Sequence, residues 1–350
     1  MKKFFASALF AAAALTFVGC AKHEASGPND ANRRYFEAWM EVNHPGIKST
    51  GLGIYIIEKT ETDGEAVKDN GYVYIDYKAM SLDGTITTYT DAETAKQLGK
   101  YDKSTYYGPK FMSTRSGALP AGVAEALEGM HVGEYRKVII PSWLMNYAVY
   151  DSEQEYLDPN DEDYKASSYS NTIYEIHVRD YTEDMEGWQI EQIGAYLEAN
   201  EDVFGSMTVK DSIPDFTGVY YKQIEAPADE EAFEKDTVVY INYTGRLLNG
   251  LVFDTSVEKV AKDNGIYSSS KKYKPVQINW AEEYSEITMG SGKSSVVPGF
   301  ALTLWQMKAM EKGVGIFTST YGYGTSGSGS SIPGFAPLIF EIELVAKPEN

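Results

Sequence analysis

Cysteine is nearly absent from this sequence: Cys20 is the one such residue among 350. That count excludes a disulfide framework and a zinc site built on cysteines. Histidine is almost as scarce. His23 and His44 fall outside the candidate domains, and His131 and His177 are isolated, so they read as surface or packing residues rather than ligands. Basic charge is also short, with 31 Lys and Arg against 51 Asp and Glu and a net charge of −20. Such a surface repels phosphate, which excludes nucleic acid as the main partner. Disorder is excluded in turn, because 43% of the residues are hydrophobic. The length calls for two domains.

Long apolar runs are missing except at the start. Lys2 and Lys3 precede Phe4 to Val18, a run too short to span a membrane comfortably and typical of a signal peptide. Its ending, Phe17-Val18-Gly19-Cys20, resembles the lipobox of bacterial lipoproteins. The resemblance implies a lipid on Cys20, a membrane anchor, and an envelope location facing the periplasm or the cell exterior. The alternative is an ordinary secretory signal with an incidental cysteine. The absence of cysteine elsewhere favours the lipid. Residues 21–32 are small and polar and read as a tether.

The rest of the chain repeats itself. Each copy opens with a helical pattern: Arg33 to Val42 in the first, Met185 to Glu198 in the second, with Asp30 and Asp184 as candidate N-caps. A strand follows each helix, at 53–57 and 218–222. Next come the alternating stretches YVYIDYKAMSLDG (72–84) and VVYINYTGRLLNG (238–250), closed by the turn signals Asp83-Gly84 and Asn249-Gly250. Each copy then has a helix opening at Pro120 or Pro298, and a last strand at 173–176 or 339–342. Strands outnumber helices without strand–helix–strand alternation. The fold class is therefore α+β with antiparallel sheets, duplicated.

In the second copy, VVYINYTGRLLNGLVFDTS (238–256), SSVVPGFALTLWQM (294–307), YGYG (321–324) and IPGFAPLIFEIEL (332–344) resemble the FKBP-type peptidyl-prolyl isomerases. The resemblance implies two FKBP-like domains, each a bent antiparallel sheet wrapped around a short helix, with extra helices before each domain. The expected layout is a signal peptide (1–19), a tether and N-terminal helix (20–47), a degenerate FKBP-like domain (48–182), a helical linker (183–210) and an isomerase domain (211–350). It also implies a proline pocket lined by Tyr243, Phe253, Asp254, Val296, Val297, Phe300, Tyr323, Ile332 and Phe340, with Val276 as a further wall position. Phe300 stands where the family has a tryptophan floor. Asp254, Tyr323 and Phe300 carry the catalytic expectation. Serines at 328 and 331 replace bulkier flap residues and imply a weaker grip. The segment 257–293 is longer than usual and reads as two insertions.

The chemistry implied is rotation of an X–Pro amide, whose barrier is about 18–20 kcal/mol. No proton is transferred, so no catalytic histidine, cofactor or metal is required. The implied partners are proline-containing client polypeptides, and a macrolide inhibitor in the C-terminal domain. By the same resemblance the first copy is eroded: Thr87 and Thr88 occupy the Phe-Asp positions, Val123 the floor, and Asn146 falls near the pocket tyrosine, while Tyr77 and Tyr174 are retained. The acidic stretch within 147–170 reads as a solvated loop, because it lacks the EF-hand glycine and glutamate. Gly322-Tyr323-Gly324-Thr325-Ser326-Gly327 precedes no helix and is a loop, not a dinucleotide site.

The function expected is isomerisation by the second copy during folding of envelope or secreted proteins. The alternative is a non-catalytic chaperone or peptide-binding lipoprotein using these folds as a scaffold.

Overall fold

The structure is a computed structural model and describes residues 28–145, 170–228 and 230–348. The Cys20 region, Asn146 and residues 147–169 lie outside the described residues.

The first copy comprises α1 (Pro28–Asn43), β1 (Tyr55–Lys59), β2 (Tyr72–Ser81), β3 (Ile86–Tyr89), α2 (Ala92–Gln97), β4 (Lys110–Ser113), α3 (Ala121–Leu127), β5 (Tyr135–Ile140) and β6 (Thr172–Thr182). Its sheet has the order β1-β5-β6-β2-β3, with β4 also on β2. The second comprises α4 (Met185–Ala199), β7 (Val219–Glu225), β8 (Val238–Leu247), β9 (Val252–Thr255), α5 (Glu258–Asp263), β10 (Val276–Asn279), β11 (Thr288–Met289), β12 (Ser294–Ser295), α6 (Pro298–Trp305), β13 (Lys312–Phe317) and β14 (Leu338–Val345). Its sheet runs β7-β13-β14-β8, then β10-β11-β12, with β9 also on β8. The run β7-β13-β14-β8 repeats β1-β5-β6-β2 strand for strand. The duplication expected from sequence is therefore present in the hydrogen bonding, and the fold is α+β as expected.

Alternation decides what each strand buries. In β8, Val239, Ile241 and Tyr243 point to one face, where they meet Phe300, Leu302 and Leu304 of α6. The opposite face of this sheet presents Tyr220, Val314, Ile316 and Ile339 to Ile193 and Leu197 of α4. The first sheet is clad in the same way. Val123 and Leu127 of α3 cover Val73, Ile75 and Val138, and Phe36 and Met40 of α1 cover Ile139 and Ile173 on the other side. A fully buried Phe36 stabilises this layer by about 1.5–3 kcal/mol. Both long helices thus pack within the chain.

One of the two expected N-caps changes. The first helix begins at Pro28, so Asp30 lies inside its first turn and not ahead of it. Proline suits that first position because its missing N–H has no partner there in any case. Asp184 does cap α4, accepting from the Gly187 N–H at 3.0 Å.

The first of the two expected insertions, the stretch after β9, has a counterpart in the first copy. Shifting the sequence by 166 positions matches Ala95 with Ala261, Gly99 with Gly265, Tyr101 with Tyr267, Tyr107 with Tyr273 and Pro109 with Pro275. The structure repeats the match. Tyr101 stacks on Tyr107 at 5.4 Å and Tyr267 on Tyr273 at 5.4 Å. Lys96 and Lys262 lie over Tyr101 and Tyr267. In each loop the second tyrosine hydroxyl accepts a backbone N–H, from Asp102 or Ser268. A short helix and a tyrosine-stapled loop therefore belong to both copies.

Candidate active site

The β8–β9 hairpin turns at Asn249-Gly250, where Gly250 has a φ of +87° that a glycine adopts without strain. That turn sets the register that pairs Gly245 with Asp254 and Thr244 with Thr255. Tyr243 and Asp254 consequently meet: the phenol donates to Asp254 Oδ2 at 2.7 Å. Asp254 Oδ1 accepts the Thr255 N–H at 2.9 Å and forms an ion pair with Lys271. The strands are pinned behind the pair, with the Tyr243 N–H donating to Ser256 Oγ at 2.9 Å and Thr255 Oγ1 donating to the Tyr243 carbonyl at 2.8 Å.

Three rings, Phe300, Phe340 and Phe253, join Tyr243 in a cup at this pair. Phe300 is buried at 2% exposure and meets Tyr243 edge-on at 5.9 Å and Phe340 at 4.9 Å. Phe253 meets Phe340 edge-on at 5.6 Å. Edge-to-face contacts at such separations are favoured by the ring quadrupoles. Val276, Val296 and Val297 are half-buried and pack against the same cluster, and Ile332 is buried in it. Val297 is the N-cap of α6 and offers no side-chain cap. Among the described residues its N–H has no acceptor.

Tyr323 stands at the edge, 38% exposed. Its hydroxyl has no hydrogen-bond partner among the described residues. Burial pushes both phenols up from the usual tyrosine range, and the Asp254 carboxylate adds to the rise in each. Both remain neutral donors at physiological pH. Every pocket position expected in the second copy is thus brought to one place.

Lys271 is the charged residue that sequence reasoning missed. It sits in a run with Lys272 and Lys274, and composition does not say which of them turns toward Asp254. The 166-residue shift supplies a signal, because it matches Lys271 with Thr105.

The first copy differs at each of these points. Register places Thr88 opposite Ala79 as Asp254 lies opposite Gly245, so Thr87 and Thr88 do occupy the Phe-Asp positions. Both partners of the Asp254–Lys271 pair are threonine there. Val123 is buried at the floor position. The Tyr77 hydroxyl has no partner among the described residues, and burial raises its pKa. His131 Nδ1 lies 3.3 Å from Glu134 Oε1, and the His177 pKa is lowered by burial and by Arg179. Among the described residues no group of His, Cys, Asp and Glu is arranged to hold a metal, and no helix is long and apolar enough to cross a membrane.

A cluster of aromatic rings, with one carboxylate held by a phenol and with unpaired N–H and O–H donors nearby, marks the candidate site of this α+β domain. The FKBP-type peptidyl-prolyl cis-trans isomerase model matches residues 229–345. FK506-binding protein 1A of Aspergillus fumigatus is 33% identical over 125 residues, spanning 35% of this chain and 90% of that protein. The FK506-binding protein of Neisseria meningitidis serogroup B is 31% identical over 120 residues, spanning 33% of this chain and 88% of that protein. The three FKBP domains of wheat FKBP73 match at 17% identity over 84% of this chain and 94% of that one, with a TM-score of 0.27. The chain belongs to the FKBP-type peptidyl-prolyl cis-trans isomerase family.

Proposed function

We propose that the second copy isomerises X–Pro bonds in client polypeptides and that the first copy does not. The observation that carries this reading is the Tyr243–Asp254 bond above the Phe300 and Phe340 rings. A twisting prolyl amide loses its charge separation, so an apolar cup favours it over water. The Val297 N–H and the Tyr323 hydroxyl hold substrate carbonyls, and Asp254 lies beside the carbonyl of the rotating bond. The first copy lacks the carboxylate, its lysine partner and the aromatic floor.

The clients are proteins folding in or beyond the cell envelope, and the anchor is a lipid on Cys20. Uncatalysed isomerisation takes tens to hundreds of seconds, slow enough to limit folding there. The same cup takes a macrolide of the kind named in the relatives.

The test is cis/trans relaxation of a proline tetrapeptide by the full chain. Acceleration by the wild type, lost in Asp254→Ala with Phe300→Ala, is expected. Activity surviving both changes refutes the site. Absence of acceleration at micromolar protein replaces isomerisation with client binding. Retention of a Cys20→Ser variant in the membrane fraction refutes the lipid anchor.

A further inference from the structure

The loop after β14's neighbour β13 that carries Ile332 is a narrow hairpin. The Ser328 N–H donates to the Ile332 carbonyl at 2.8 Å, and the Ile332 N–H donates back at 3.2 Å. Its tip, Ser330, is held from outside. The Tyr106 N–H of the first copy donates to the Ser330 carbonyl at 2.8 Å, and Thr105 Oγ1 lies 3.4 Å from Ser330 Oγ. The Tyr106 ring packs against the core of the second copy. Further along, Phe335 has a φ of +63° and rests on Tyr72 and Phe111 of the first copy, at 5.1 and 5.8 Å. The flap of the isomerase site is thus braced by the copy that lost its own site.

The bracing residues belong to the tyrosine-stapled loop shared by both copies. Thr105 takes the place that Lys271 has in the second copy, and it touches the flap where Lys271 holds Asp254. Two such loops consequently border the mouth of one cup. An opening of about 360 Å³ has Phe253 of the cup on one side, Ile266 and Tyr267 of the second loop on another, and Ser104 of the first loop beside Ser330 and Ser331.

A second opening of about 320 Å³ shares Ser330 with it. It runs between Tyr89, Lys100, Tyr107 and Lys110 of the first copy and Ser330 and Pro333 of the flap. In a chain with a net charge of −20 this cleft has two lysines and no acid in its lining. Neither lysine has an ion pair among the described residues.

We propose that the first copy forms one bank of the second copy's active site and selects client chains with an acidic residue near the proline. The client would lie between Lys100 and Lys110 and the flap. This rests on the isomerase reading of the cup.

The test uses the full chain and two substrates: a proline tetrapeptide without acidic residues, and a peptide of about twelve residues, ~40 Å extended, with acids on both sides of its proline. Binding of the labelled long peptide is followed in parallel. Replacing both lysines (Lys100→Ala with Lys110→Ala) is expected to raise KM and Kd for the acidic peptide about fivefold or more, with kcat unchanged. Turnover of the tetrapeptide stays the same. The difference shrinks in about 0.5 M salt, where exposed charges are screened. An unchanged Kd for the acidic peptide, or an equal loss on the tetrapeptide, overturns the proposal. Lysine-dependent binding with no turnover by the wild type overturns the isomerase reading, and with it the active-site part of this proposal, while selection of acidic clients by the lysine cleft stands.

Discussion

The Tyr243 hydroxyl and the Asp254 carboxylate are joined at 2.7 Å although they sit on different strands, β8 and β9. Tyr243 is 8% exposed, and Asp254 is the one hydrogen-bond partner of its phenol among the described residues. Asp254→Ala is expected to cost about 1–3 kcal/mol of stability, the penalty for a buried donor left unmade. Tyr243→Phe costs less, about 0.5–1.5 kcal/mol, because it leaves no buried donor. The double variant should be more stable than the sum predicts, since neither partner is then stranded. Denaturant melts of the four proteins check this. Strict additivity would show that the bond is not formed.

Lys271 separates activity from stability. Its ammonium and the Asp254 carboxylate are both partly exposed, and exposed pairs contribute about 0–1 kcal/mol. Lys271→Met should therefore leave the melting temperature nearly unchanged. It also removes the charge that holds Asp254 against the cup, and kcat/KM should fall about 3- to 10-fold, a loss of roughly 0.7–1.4 kcal/mol in the transition state. Lys271→Arg should restore most of it. Equal activity in all three proteins would show that Asp254 is positioned by Tyr243 and its own strand alone.

Alkaline pH attacks the same hydrogen bonds. Burial raises the phenols of Tyr243, Tyr106 and Tyr221, with Asp254, Tyr74 and Glu311 adding to the rise. In the unfolded chain these tyrosines ionise from about pH 10. The neutral form is thus favoured by folding. Its contribution is fully present below pH 10 and is lost as pH rises above it. Denaturation midpoints at about pH 8 and about pH 11 should differ sharply. The phenolate absorbance of these three residues should appear with unfolding and not before.

The cup residues were legible through the resemblance of 238–256, 294–307, 321–324 and 332–344 to one family, and short-range rules add only the register of the first hairpin. Alternation in 238–247 and the Asn249-Gly250 turn together fix which residue of β9 faces Tyr243, and one slip in register would have turned Asp254 to the other face. The long helices were legible as amphipathic segments, yet an apolar stripe does not name the surface that covers it, and only the coordinates assign α1 and α4 to the outer faces of the two sheets. Lys271 and the Tyr106–Ser330 contact were hidden for a different reason. They depend on loops whose path is set by tertiary packing. The repeat at 166 residues is present in the sequence, but the tyrosines at 101, 107, 267 and 273 carry no motif of their own, and it is their stacking that defines one module.

Gly245 shows how one methyl group decides between the two copies. A Cβ placed on it would lie 2.5 Å from Phe253 Cε2 and 2.8 Å from Phe340 Cε1, inside both rings. The first copy has Ala79 at this register, where Thr87 and Tyr174 stand in place of the two phenylalanines, and the alanine is buried there at 3% exposure. Alanine is therefore compatible with the eroded site and not with the cup. Gly245→Ala should cost about 1–3 kcal/mol, the usual penalty for overpacking, as Phe253 and Phe340 are forced apart. It should also lower kcat/KM about tenfold or more, because the displaced rings are the walls that meet the prolyl ring. Adding Phe253→Thr makes room for the methyl group. The double variant should recover much of the stability and none of the activity. Recovery of both would mean that the aromatic wall is dispensable for turnover, and full stability in Gly245→Ala alone would mean that the rings are not packed against this strand.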